Sequence, residues 1–285
     1  MSAIALAALA SMFYGTADFM GGMASRRASV LAVTVLSQSA GLVVIVALAL
    51  ALGATRVATV DLVWGAAAGL TGVGGLVLLY RGLAEGPMSV VAPVTALCSV
   101  ALPVAIGLLF GERPTWPAIS GVVLAGLAVV LVSRHAEGAA PRTSGRSRRT
   151  ALLTALASGT LIAMFLVCFQ RTSREAGFWP LVVARLTSFG MVGLLIATRR
   201  GEPLRWPGGG LALAMPLVSG AIDNVANVLY TSAARESLLS VAAPVASLYP
   251  AATVVLARVV VGEPIARPQL AGLVLASLAM ALMAM

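Results

Sequence analysis

Two stretches of this 285-residue chain spell nearly the same text, and both are too apolar for a fold surrounded by water. Residues 89–132 read SVVAPVTALCSVALPVAIGLLFGERPTWPAISGVVLAGLAVVLV, and residues 240–283 read SVAAPVASLYPAATVVLARVVVGEPIARPQLAGLVLASLAMALM. At an offset of 151 positions, 18 of the 44 pairs are identical without a gap. Ser89, Pro93, Gly111, Glu112 and Gly121 recur as Ser240, Pro244, Gly262, Glu263 and Gly272. Apolar composition produces chance matches of Ala, Leu and Val, but it does not place Pro, Gly and Glu in step. The chain is internally duplicated, a common signature of secondary transporters.

Composition places the duplication in a membrane. The chain is 60% hydrophobic and 10% charged, with a mean hydropathy of +1.00, whereas a soluble domain carries about a quarter charged residues. A crossing helix needs about 20 mostly apolar residues to cover about 30 Å of hydrocarbon. Ten such runs are expected, at 3–24, 30–52, 61–80, 89–110, 116–132, 151–170, 179–198, 210–231, 240–261 and 269–284. Trp64, Trp116, Trp179 and Trp206 lie near run starts, where amphipathic rings favour the headgroup zone. The first run has no basic flank and no cleavage site, so it reads as a retained span and not a signal peptide.

The polar stretch 134–149 divides the chain. The expected organisation is a first five-helix repeat at 1–133, an Arg-rich linker at 134–150 and a second repeat at 151–285. ALAS at residues 8–11 recurs at 155–158, and Leu79-Tyr80 recurs as Leu229-Tyr230. Five is odd, so the second half enters the membrane inverted. The expected fold is all-α and integral to the membrane, with ten helices as two inverted five-helix repeats around a central cavity. Such a pair can lean toward either face at similar energy, which is the physical basis of alternating access.

All 19 basic residues are Arg, and the net charge is +9. They sit between apolar runs, which points to topology control and away from nucleic acid. Loops after odd-numbered runs hold twelve (Arg26, Arg27, Arg81, Arg134, Arg142, Arg146, Arg148, Arg149, Arg199, Arg200, Arg205 and Arg267), and loops after even-numbered runs hold five (Arg56, Arg113, Arg171, Arg174 and Arg235). This bias puts the central linker in the cytoplasm and both termini outside.

Several motifs now stand in order: YGTADF at 14–19, LYTSA at 229–233, SVAAP at 240–244, GEP at 262–264 and Q-x-x-G from Gln269 to Gly272. In that order and spacing, over essentially the whole chain, they resemble the drug/metabolite transporter superfamily, and specifically its ten-span EamA type. The resemblance implies a monomer-sized transport unit with a cavity lined mainly by spans one, three, four, six, eight and nine. It also implies export of metabolites, amino acids or drugs. Such proteins are usually drawn with both termini in the cytoplasm, opposite to the Arg bias.

Ionisable groups inside hydrocarbon are costly, so each is a candidate site. Ser11, Tyr14 and Asp18 share one face of the first run, flanked by Gly15 and Gly22. Asp18 reads either as a cavity carboxylate or as one reaching toward the membrane surface, with Arg81 available to neutralise it. Ser219, Asp223, Asn227 and Tyr230 make a polar stripe in the eighth run, with Asn224 beside it. The third run has Gly69, Val73, Val77 and Tyr80 at the corresponding places. That asymmetry reads as a substrate site or as a buried hydrogen-bond network joining helices. Arg185, at similar depth, either pairs with Asp223 or holds a substrate carboxylate bidentately. Gln38 occupies the place of Arg185 in the first half, where helix–helix bonding is the simpler reading.

The remaining polar groups read structurally. Arg258 snorkels to the interface. Glu112 and Glu263 tie loops or cap helix starts. Pro93, Pro103, Pro244 and Pro250 kink spans four and nine. Gly65 and Gly69 form a GxxxG pair suited to close packing. Cys98 and Cys168 are core packing, and His135 stands alone in the linker.

No nucleotide-binding loop, zinc motif or nucleophile elbow is present in the sequence, so neither catalysis nor a cofactor is expected. The expected function is secondary active transport, with export of a small metabolite, amino acid or drug-like amine through the cell membrane by a monomer-sized unit. Asp18 or Asp223 would carry a coupling proton. The substrate-binding candidates are Tyr14, Asp18, Arg185, Ser219, Asp223, Asn224, Asn227 and Tyr230. The alternative is a membrane-embedded binding or sensory subunit that translocates nothing.

Overall fold

The computed structural model describes residues 2–25, 27–85, 88–132, 145–198, 204–262 and 265–285. Arg26, Arg134, His135, Arg142, Arg199, Arg200 and Glu263 fall outside the described residues. So do the side chains of Tyr80, Arg81, Ser89, Pro93, Arg146 and Arg148.

The described residues form helices and connecting loops. The helices are α1 (Ala3–Ser25), α2 (Val30–Leu52), α3 (Thr59–Glu85), α4 (Met88–Leu109), α5 (Trp116–Val132), α6 (Gly145–Gln170), α7 (Trp179–Ala197), α8 (Leu211–Ala234), α9 (Leu239–Ala246), α10 (Tyr249–Leu256) and α11 (Arg267–Met283). A π-helical turn, Ala257–Val261, follows α10. Among the described residues, seven helical stretches are long and apolar enough to cross a membrane; one of them is Leu239–Val261 taken as a unit. The helices at Leu97–Leu109, Trp116–Val132 and Arg267–Met283 are apolar but shorter.

Hydrogen bonds between loops sort them into two ends. At one end, the α2–α3 loop meets the α6–α7 loop through Thr55 N to Glu175 O (3.0 Å) and Ser173 N to Asp61 Oδ1 (2.7 Å). Arg235, after α8, donates to Gly177 O at 2.9 Å. Arg174 pairs with Glu236 at 3.7 Å. Glu112, after α4, accepts from the backbone N–H of Leu239 and of Ser240, each at 2.8 Å. At the other end, Ser29 N donates to Arg205 O at 2.8 Å, and Gln269 Nε2 reaches Val132 O at 3.4 Å.

Helix pairing repeats between the halves. α1 packs on α8 as α6 packs on α3; α1 packs on α9 as α6 packs on α4; α2 packs on α8 as α7 packs on α3. α5 lies against α11, and α2 against α7. In lipid no hydrophobic gain draws one apolar helix to another, so close backbone approach at small residues must supply the packing. Gly65 and Gly69 do so for α3 against α7. A Cβ on either would overlap the backbone of Pro180 or Ala184, and Ser188 Oγ adds a 2.9 Å bond to Gly69 O.

Residues 240–261, expected as one continuous span, form a broken one. Pro250 has no N–H to donate, and its ring collides with the carbonyl four residues back, Ala246. The α-helical ladder of α9 stops at Ala246, and α10 starts again at Tyr249 with Pro250 in its first turn. The two pieces differ in packing. Every residue of α9 is buried, and none of α10 is. α9 is also held at its start by the Glu112 carboxylate, which satisfies two orphan N–H groups at a helix N-terminus and takes a third bond from Gln170 Nε2 at 3.4 Å.

Candidate functional site

Four helices bring one polar cluster together within their length. α7 contributes Arg185, whose guanidinium fork is shared three ways. Nε donates to Asn224 Oδ1 at 3.0 Å, Nη1 donates to Gln38 Oε1 at 2.7 Å, and Nη2 donates to Asp223 Oδ2 in an ion pair. α8 contributes Asp223, Asn224 and Asn227. Asn227 Nδ2 donates to Asp223 Oδ2 at 3.0 Å and to the Asp223 carbonyl at 2.7 Å. α1 closes the chain of bonds, with Tyr14 Oη donating to Asn227 Oδ1 at 2.9 Å. The path Gln38–Arg185–Asp223–Asn227–Tyr14 joins α2, α7, α8 and α1.

A charge inside hydrocarbon must be paired to be tolerated, and a planar Arg fork is the side chain suited to several acceptors at once. The three acceptors around Arg185 meet that demand. Gln38 is 6% exposed, Asn224 0% and Asn227 1%. The cluster can be this tight because α2 and α8 touch at backbone level, where Gly220 lies on the Ser37 carbonyl. Of the two readings for Arg185, the ion pair is the one present, and Gln38 bonds between helices.

The eighth-helix stripe does not face one space. Ser219 Oγ donates to Ala17 O on α1 at 2.8 Å, and Tyr230 Oη donates to Leu166 O on α6 at 2.9 Å. Tyr230 is wholly buried in the core around Phe169 and Leu181. Asn224 Nδ2 returns to Gly220 O at 3.0 Å. All five of the α8 candidates therefore bond to neighbouring helices or to their own backbone, Asp223 through Arg185 of α7. The spacing i, i+4, i+8, i+11 keeps the four residues on one side of the helix, but Ser219 and Tyr230 stand about 16 Å apart along its axis, so the two ends meet different partners.

Asp18 is different. It is exposed, on a helix whose adjacent Ala17 is 4% exposed, and it has no hydrogen bond or ion pair among the described residues. It lies within electrostatic reach of Asp223 and of Tyr249. Tyr249, which the candidate set omits, begins α10 just past the break. A signal for it exists in the duplication, since Tyr249-Pro250 stands where the first copy has Cys98-Ser99. A recess of about 380 Å³ lies elsewhere, at the loop end, lined by Arg56, Asp61, Arg171 and Ser173. There Asp61 is already engaged by the Ser173 backbone and hydroxyl.

Outside the cluster, Arg258 bends back toward Gly262 O at 3.5 Å from the exposed end of its span. Cys168 is buried in the same core as Tyr230.

A family model for EamA-like transporters matches residues 1–134 and again residues 149–285. The chain belongs to the EamA-like transporter family. It is accordingly a multi-pass membrane protein of the drug/metabolite transporter type, with one family unit in each half. A protein crystal structure is similar to this EamA-like chain over 98% of its length and 95% of the other chain, with a TM-score of 0.78 and 18% identity. Likeness at that identity concerns the fold and carries no function. No curated protein matches the chain significantly.

Proposed function

We propose that this EamA-like protein is a secondary active exporter of a small organic amine, working by alternating access in the cell membrane and exchanging the amine for a proton at Asp18. The observation that carries the reading is a difference between two carboxylates. Asp223 is neutralised by Arg185, which removes both from the set of free charges. Asp18 is exposed and unpaired among the described residues. A lone carboxylate within a membrane-spanning helix suits a monovalent cation or a proton, one displacing the other. A zwitterion would need a free cation as well, and Arg185 is occupied.

The transport cycle rests on a ten-span reading, with α9 and α10 forming span nine, α11 forming span ten, and the second five inverted relative to the first. Two features support it. Loops after even-numbered spans bond to one another at one end, and those after odd-numbered spans at the other. The pairing of helices is also preserved when the halves are exchanged, as a pseudo-twofold axis in the membrane plane requires. The Arg bias puts the linker end in the cytoplasm and the termini outside.

Counterflow in proteoliposomes tests the function. Preloaded amines should drive uptake of radiolabelled benzylammonium, and a proton gradient should do the same. Asp18→Asn should abolish the proton-driven component while the variant still inserts and elutes as the parent does. Unchanged proton-driven flux in that variant would remove Asp18 from the cycle.

A further inference from the structure

We propose that Tyr249 is a second substrate contact, its hydroxyl oxygen accepting an N–H from an ammonium held by Asp18. The inference rests on the amine reading of Asp18 and assigns the residue that recognises the N–H.

The placement comes from α1 and α10. They meet at Gly15, where a Cβ would overlap the Tyr249 carbonyl and the Ala252 side chain. Thr253 Oγ1 donates to Gly15 O at 3.2 Å. Asp18 lies one turn beyond Gly15 on the same side of α1, so the residues flanking this contact are Asp18 on one helix and Tyr249 on the other. The two side chains are in electrostatic reach of each other. Tyr249 Oη has no hydrogen-bond partner among the described residues, whereas Tyr14 and Tyr230 each donate to a neighbour. A phenol set in a membrane protein ordinarily finds a partner. An ammonium between it and Asp18 supplies one, because the phenolic oxygen accepts and the carboxylate accepts.

The break sets Tyr249 at the start of its own helix, between a buried piece and one without buried residues. α9 is buried along its whole length and pinned by Glu112, so it stays with the bundle. α10 and the π-turn contain no buried residue, and α10 is held to the bundle through α1 at Gly15.

The test uses the full chain in detergent, titrated with benzylammonium and with tetramethylammonium, which has no N–H. Wild type should prefer benzylammonium. Tyr249→Phe keeps the ring and should weaken benzylammonium about tenfold or more, the size of a hydrogen bond to a charged group, while leaving tetramethylammonium and the melting temperature unchanged. Asp18→Asn should weaken both ligands. Equal weakening of both ligands in Tyr249→Phe would mean a packing role and would overturn the proposal. So would unchanged binding of both in Tyr249→Phe when Asp18→Asn loses them, and in that case the amine reading survives. If wild type binds neither cation, both the amine reading and this contact fall.

Discussion

Arg185 on α7 and Asp223 on α8 form an ion pair whose cation is further shared with Gln38 on α2 and Asn224 on α8. The Arg185 side chain is 12% exposed and that of Asp223 30%. The pair is therefore mostly withdrawn from solvent, and its two members answer to each other more than to a ligand.

Removing one partner leaves the other charge uncompensated in a low-dielectric setting. Asp223→Asn should lower stability in detergent by about 3–5 kcal/mol. The double variant Arg185→Gln with Asp223→Asn should recover part of that loss. Thermal unfolding of the two single variants and the double variant measures the coupling, and additive losses would mean that the pair is not the source of the effect.

Asn227 should behave as structure. Its amide bonds to Asp223 and accepts from Tyr14 while 1% exposed. Asn227→Ala strands the Tyr14 hydroxyl and should cost about 1–3 kcal/mol of stability. Substrate affinity in the folded fraction should change by less than about threefold. A large loss of affinity with intact stability would return Asn227 to the substrate site.

Glu112 gives a pH dependence. Burial raises its carboxyl, but the bonds from the Ser240 and Leu239 backbone and from Gln170, with the Ser240 side chain close by, outweigh burial and hold it below the ordinary glutamate range. A depressed folded pKa contributes stability that is fully present above the unfolded value, near 4.5, and is lost as pH falls through the folded value. Wild type should therefore lose melting temperature as pH drops below about 4.5. Glu112→Gln should start lower at pH 7, by about 1–2 kcal/mol, and show a flatter acid limb. Parallel pH curves for the two proteins would dismiss the cap.

Orientation can be read directly. With twelve loop Arg after odd-numbered spans against five after even-numbered ones, a reporter active only in the cytoplasm should give no signal when fused after Met285. A strong signal would set the Arg bias aside in favour of the usual drawing of the family.

The sequence by itself determined the membrane class, the duplication and most helix ends. α2 and α5 start and stop where their apolar runs do, because a polar or turn-forming residue bounds each run and, within it, a backbone in hydrocarbon has to satisfy its own hydrogen bonds as helix. It also brought Arg185 and Asp223 to similar depth, since rise per residue converts position into depth. Tertiary structure alone decided which polar groups are consumed. Ser219, Asn224, Asn227 and Tyr230 look like one site in sequence, yet Ser219 and Asn227 are spent on α1, Asn224 on Arg185 of α7 and Tyr230 on α6, because partner choice depends on which helix lies alongside at each level. The same packing left the Asp18 carboxylate and the Tyr249 hydroxyl without a hydrogen bond among the described residues. The break between α9 and α10 was announced by Pro250. Its consequence, a buried half joined to one without buried residues, came from the helices packed around α9 and from Glu112 at its start, 138 residues before Pro250 in the chain, and contacts at such separations have no local signal to read.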